Sequence, residues 1–183
     1  MTIVGLLNPG AMGASIGAAA LTNVEDVLWT SEGRSDATRI RAEKAGLTNA
    51  GSFADLVDAS ELILSVCPPA SALELANEVF SLGFKGTYVD CNAIAPEQTR
   101  ALAEIASNKG ARLVDGGIIG GPAWQAAAGT KLWLSGPDIS EVTALFEHSP
   151  LHTGVAGSEI GAASALKMCF AAFTKGSTAL LAA

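Results

Sequence analysis

The stretch from Gly5 to Ala20, GLLNPGAMGASIGAAA, constrains the fold more than any other part of the chain. An apolar run enters a turn, and a helix built almost wholly of small residues leaves it. This is the pattern in which a strand ends, the backbone turns tightly, and the free amides of a helix N-terminus face an anion. A strand, turn and helix of this kind open a dinucleotide-binding sheet. Gly10 stands where backbone must approach a phosphate, and Gly13 where the helix must lie against the strand. Ala14, Gly17 and Ala18 keep that helix face small. The first-glycine position of the turn holds Asn8, followed by Pro9. Asn visits positive φ more readily than other side chains, and its amide bonds locally in turns. Asn8 therefore reads as a variant of the turn. A glycine-rich packing turn with no ligand would leave the same bare pattern; the strand, the helix and the N-terminal position favour a cofactor.

The rest of the chain alternates short apolar runs with helical patterns. Strands are expected at TIVGLL, DVLWT, ELILSV, TYVDC, ARLVDG, TKLWLSG and SPLHTG. Helices are expected over 11–21, 36–45, 71–80, 96–107 and about 139–146. The alternation predicts an α/β fold with a doubly wound, mostly parallel Rossmann-like sheet. Residues 1–157 form the dinucleotide-binding domain in this reading. Residues 158–183 begin a long interdomain or dimerisation helix, because EIGAASALKMCFAAFTKGSTALLAA is apolar on nearly every side. Such a helix is normally covered all round. A second subunit, or a C-terminal helical domain absent from this chain, is expected to cover it.

With 183 residues and 49% hydrophobic content, the chain can build a real core. Its net charge is −7, with no basic run, which argues against a nucleic-acid partner. An anionic cofactor must then be held locally, by backbone amides and a few arginines. The three cysteines, Cys67, Cys91 and Cys169, make neither a disulfide framework nor a metal-ligand spacing. Reduced thiols in the cytoplasm are expected. The C-terminal segment, broken by Lys167 and Lys175, does not read as a membrane span.

The end of the second strand bears on which dinucleotide binds. An acid there would grip a ribose diol. Here Thr30 and Ser31 occupy that region, with Arg34 close by. Hydroxyls plus Arg suit a 2′-phosphate, so NADP is favoured over NAD. Glu32 is the counter-signal, as an acid able to take the ribose hydroxyls. Arg39 and Arg41 read as a solvated helix face.

Five stretches, in order, resemble the β-hydroxyacid dehydrogenase family, which includes 6-phosphogluconate and 3-hydroxyisobutyrate dehydrogenases. They are GLLNPGAMG, LSVCPPA, YVDCNAIAPEQTRALA, DGGIIGGPAWQAAAGTKLWLSG and GAASALK. The resemblance implies that Gly10, Ala11 and Met12 hold the pyrophosphate. Cys67 and Pro68 would lie along the nicotinamide ribose, where the Pro pair also ends a strand. In DCNAIAP, Asn92 and Ala93 replace the family's Ser-Thr pair; Asn92 offers an amide to nicotinamide or substrate, or simply shapes a turn. In DGGIIGGPA, Ile119 replaces a Ser, leaving the amides of Gly120 and Gly121 and adding an apolar wall. Lys167 matches the catalytic lysine, and its apolar surroundings imply a lowered pKa suited to proton transfer. The family's Asn one turn later is missing; that region reads Met168, Cys169, Phe170, Ala171. His148, His152, Asp90 and Asp115 fall outside the reacting positions, the two Asp residues as organisers of their loops.

The expected activity is thus an NADP-dependent oxidoreductase, with NAD as the other candidate, acting in a homodimer on the CH–OH group of a hydroxy-acid-like substrate that Ile119 suggests is bulkier or less polar than a small 3-hydroxy acid. An imine reductase is the alternative within enzymes, and Lys167 argues against it. A non-catalytic NAD(P)-binding or dimerising module is the alternative outside them.

Overall fold

A computed structural model describes residues 2–182. Eight strands form one sheet: β1 (Ile3–Leu7), β2 (Asp26–Trp29), β3 (Thr48–Asn49), β4 (Leu62–Ser65), β5 (Thr87–Asp90), β6 (Arg112–Ile119), β7 (Lys131–Ser135) and β8 (His152–Gly157). Their order is β3-β2-β1-β4-β5-β6-β7-β8. The first six run parallel; β7 is antiparallel to β6, and β8 parallel to β7. Between the parallel strands run α1 (Ala11–Ala20), α2 (Asp36–Lys44), α3 (Phe53–Ala59), α4 (Ala72–Ser81) and α5 (Pro96–Asn108); α6 (Ser140–Leu145) joins β7 to β8, and α7 (Ala162–Leu181) follows β8. The doubly wound, mostly parallel sheet is the one expected from the alternation.

Helices cover both faces, so the central strands are buried on both sides and read as continuous apolar runs. One core lies on the α1, α2 and α6 face, around Val4, Leu6, Ile16, Trp29 and Val142. The other lies on the α3, α4 and α5 face, around Leu56, Ile63, Phe80, Tyr88 and Leu102. The reversal at β7 has a local cause. A parallel return needs a long crossover, usually a helix. The segment after β6 carries GGPA and Gly129 and folds only a single 3₁₀ turn over Ala126–Ala128, so the chain comes back antiparallel.

Two elements escape the sequence reading. β3 is two residues long and exposed. α3 is seven residues long, too short for a clear apolar period. Its start was nevertheless marked: Ser52 accepts from the Asp55 amide and Asp55 reaches back to the Ser52 amide, a capping box.

A polar row crosses the sheet near its C-terminal edge. Ser65, Asp90, Asp115 and Ser135 stand in register on β4 to β7, and all are fully buried. Asp115 is saturated: it accepts from Ser135 Oγ (2.8 Å), the Gly161 amide (2.9 Å), and the amide (3.1 Å) and hydroxyl (2.6 Å) of Ser164. It thereby supplies the N-terminal cap that α7 lacks from its own sequence. Glycine at 117 lets that helix approach β6, since a Cβ there would lie 2.7 Å from Ala163 O. Only the first turn of α7 is buried. Beyond it, Phe173 and Leu180 are 74% and 82% exposed, so the rest of the apolar helix stands uncovered.

Candidate functional site

The sheet order reverses between β1 and β4, and the crevice beyond the strand ends at such a switch point is where open α/β sheets bind ligands. The segments following β1, β4, β5 and β6 meet this edge. They carry Asn8, Cys67, Asn92 and Gly120 respectively.

The glycine turn is formed as its sequence implies. Asn8 adopts φ +65°, the left-handed conformation inferred for it. The Gly10 amide donates to Asn8 O (2.7 Å) around the buried Pro9. Gly13 is required by packing, because a Cβ there would lie 2.6 Å from Asn8 O. Gly10 differs. Its backbone is extended, at φ −67°, which any residue adopts, and the nearest protein atom to an added Cβ is 3.9 Å away. Neither conformation nor packing in the protein requires glycine there. A ligand lying against the backbone would require it. No side chain caps α1 at its N-terminus, where Ala11 is exposed and Met12 half-buried. Uncapped first-turn amides, with the helix dipole behind them, suit an anion.

Two arginines reach this turn in an acidic protein, and a third braces the loop beside it. Arg34 Nη1 donates to Asn8 Oδ1 (3.0 Å), and Arg41 Nη1 donates to Pro9 O (3.3 Å). Arg39 folds back toward Arg34 O (3.4 Å) and Ser31 O (3.5 Å). Arg41 is half-buried, which corrects its reading as a solvated helix face. Thr30 is buried, accepting from the Glu32 amide and donating to Gly51 O (both 3.2 Å). Ser31 Oγ accepts from Asn49 Nδ2 (3.1 Å), leaving its own proton to donate. Glu32 turns toward the start of α3, where it accepts from the Phe53 amide (3.4 Å).

At the ends of β4 and β5, Asn92 is 3% exposed and fully engaged. Its Oδ1 accepts from the Cys67 amide (2.6 Å), and its Nδ2 donates to Ser65 Oγ (2.9 Å) and Asp90 Oδ1 (2.5 Å). It ties the two strand ends together and sets the path of Cys67 and the exposed Pro68. Burial raises the Cys67 thiol above its ordinary value, with Asp90 adding to the effect, so the thiol is protonated at neutral pH. Asp90 Oδ2 has no partner. Burial, reinforced by the charge of Asp115, pushes the Asp90 carboxyl up to about 7.

At the end of β6, Ile119 is half-buried and Gly120 and Gly121 are exposed. Gly120 takes φ +127°, and a Cβ there would lie 2.8 Å from Thr130. Thr130 Oγ1 holds Gly121 O (2.7 Å). The loop is also tied to α1: the Ala123 amide donates to Ser15 Oγ (2.9 Å), which itself donates to Met12 O (2.8 Å). Nothing in the sequence advertised this link. Lys167 stands one turn into α7, half-buried, with its Cβ 3.2 Å from the Cβ that Gly117 lacks. Burial lowers its pKa below the ordinary lysine value, and Lys175 adds to the effect. None of the ion pairs among the described residues involves it. Among those residues no group of His, Cys, Asp or Glu is arranged to hold a metal ion.

A doubly wound sheet, a glycine turn at its switch point and uncapped helix amides beneath that turn define a dinucleotide-binding domain of the Rossmann type. Comparison with known proteins gives the family. The chain belongs to the family of the NAD-binding domain of 6-phosphogluconate dehydrogenase, whose model matches residues 2–149. It is 31% identical over 150 residues to an uncharacterized 28.5 kDa protein from Methanothermus fervidus, covering 82% of this chain and 57% of that one. The chain thus spans little more than half the length of that relative. It is also similar to a conserved protein of unknown function whose structure resembles 3-hydroxyacid dehydrogenases (TM-score 0.82, 30% identity, 98% of this chain and 67% of that one). A reductive aminase from Aspergillus terreus, solved with NADPH and ethyl levulinate, shares the fold (TM-score 0.80, 21% identity, 98% and 63%).

Proposed function

We propose that this domain binds NADP and serves an oxidoreductase acting on the CH–OH group of a hydroxy-acid-like substrate. Gly10 carries the cofactor half of the reading: nothing in the protein requires its missing side chain, and a pyrophosphate lying against the backbone would. The α1 amides at Ala11 and Met12 take the pyrophosphate, with Asn8, Pro9 and Gly13 shaping the turn. Arg34 and the Ser31 hydroxyl take the 2′-phosphate, while Thr30 holds their loop in place. Glu32, directed at α3, leaves the ribose hydroxyls without a carboxylate, which supports NADP over NAD. Cys67 and Pro68 border the nicotinamide side, positioned by Asn92.

The bound nicotinamide would supply or accept the hydride. Lys167 holds the proton of the substrate hydroxyl; its lowered pKa brings the neutral amine closer to working pH. The Gly120 and Gly121 amides bind the polar end of the substrate, and Ile119 walls the pocket with apolar surface. Ile119 also favours a second reading, an imine reductase with a less polar substrate. The boundary between the binding domain and the interdomain helix falls at about residue 157. The bare face of α7 supports a homodimer or a following helical domain. Three free cysteines fit a reducing compartment, and we place the protein in the cytoplasm. Among the described residues no helix is long and apolar enough to cross a membrane.

Fluorescence titration with NADPH and NADH tests the cofactor half; binding of neither refutes it. Oxidation of a panel of hydroxy acids by the full chain and by Lys167→Ala tests the chemistry. Equal turnover by the two removes Lys167 from its role, and turnover of cyclic imines alone favours the second reading.

A further inference from the structure

Resting on the NADP reading above, we infer that Asn8 is a specificity-determining residue: its side chain positions Arg34, and the preference for a 2′-phosphate depends on that hydrogen bond. Asn8 does two separable jobs. Its backbone makes the left-handed bend at φ +65° that ends β1. Its side-chain oxygen accepts from Arg34 Nη1 at 3.0 Å, across 26 positions of sequence. The bend alone would be served better by glycine, which meets no steric penalty at positive φ. The second job explains why a side chain is present.

The choice among side chains is also constrained. Asp tolerates the bend and would accept from Arg34, but its charge would neutralise the guanidinium and stand beside an anion site. Asn gives the bend and a neutral acceptor together. The guanidinium spends one amino group on Asn8, and its Nε has no partner in the protein although it is buried. Buried donors are ordinarily satisfied, so this arginine is held with hydrogen-bonding capacity in reserve. The loop around it is open, since an added Cβ at Gly33 would meet nothing within 4 Å. A fixed guanidinium recognises a phosphate at lower entropic cost than a free one.

The test is a double-mutant cycle read by direct binding, with NADPH and NADH each titrated against the full chain, Asn8→Gly, Arg34→Ala and the double variant. Asn8→Gly is expected to weaken NADPH about tenfold and leave NADH within about twofold. Arg34→Ala is expected to remove the preference. In the double variant the two losses must not add, because both remove one interaction. Asn8→Asp keeps bend and acceptor but is expected to lose the preference through charge. Equal weakening of NADPH and NADH in Asn8→Gly would reduce Asn8 to a turn residue, and additive losses would uncouple it from Arg34. Either result overturns the inference while leaving NADP binding intact. A wild-type chain that prefers NADH overturns both the NADP reading and the inference.

Discussion

Replacing Asp90 by Asn should flatten one segment of the protein's pH–stability profile. The Asp90 carboxyl is buried beside Asp115, accepts one hydrogen bond from Asn92 and has a second oxygen with no partner. Burial, with the charge of Asp115 adding to it and the hydrogen bond from Asn92 opposing it, lifts the carboxyl from the ordinary 3.8 to about 7 in the folded state. The folded protein therefore holds this proton more tightly than the unfolded chain. The stabilisation is complete below the unfolded value near 4, declines as pH rises, and is gone above about 7. A rise of about 3 units corresponds to about 4 kcal/mol across the whole window at ~1.36 kcal/mol per unit. Asn is isosteric with the protonated acid and neutral at every pH, and its oxygen still accepts from Asn92. Urea unfolding of wild type and Asp90→Asn in steps from about pH 5 to about pH 8 isolates the effect, because carboxylates remote from Asp90 cancel in the difference. The variant should gain on wild type by about 3 kcal/mol over that interval, with a plateau above pH 7. Parallel curves would mean that Asp90 is ionised in the fold throughout, and the argument from its orphaned oxygen would fail.

Other substitutions separate packing from ligand binding. Gly10→Ala should leave thermal stability within about 0.5 kcal/mol, since nothing in the protein meets the new methyl, yet abolish cofactor binding in a fluorescence titration. Gly13→Ala should do the reverse in kind, destabilising by about 2 kcal/mol through its clash with Asn8 O, measured by urea unfolding. Asp115→Ala strands the amides of Gly161 and Ser164; a loss of about 3 kcal/mol or more is expected, with early amide exchange in the first turn of α7.

Much of this architecture was legible because it is local. The alternation of apolar runs and helical periods gave the sheet, and the Asn-Pro-Gly turn declared its left-handed residue. What was hidden is mostly long-range. Arg41 reads as a surface residue in its own helix, and only the folded chain brings it to Pro9. Asn92 carries the chemistry of a ligand-binding amide, but its neighbours Ser65, Cys67 and Asp90 consume both ends of it, and two of these three partners, Ser65 and Cys67, lie across a strand pair. Asp115 was read as a loop organiser; the helix it organises begins nearly fifty residues later. β3 and α3 were missed for a different reason: each is too short for periodicity to speak.

The hydroxyl of Ser15 joins the two sides of the crevice. It holds the Ala123 amide from the loop after β6 while bonding to Met12 O in the first turn of α1. The loop that would meet the substrate and the helix end that would meet the phosphates are therefore one mechanical unit. Redesigning residues 119–125 for a new substrate will disturb cofactor affinity unless the Ala123 amide keeps its seat on Ser15. Insertions in that loop carry the same cost.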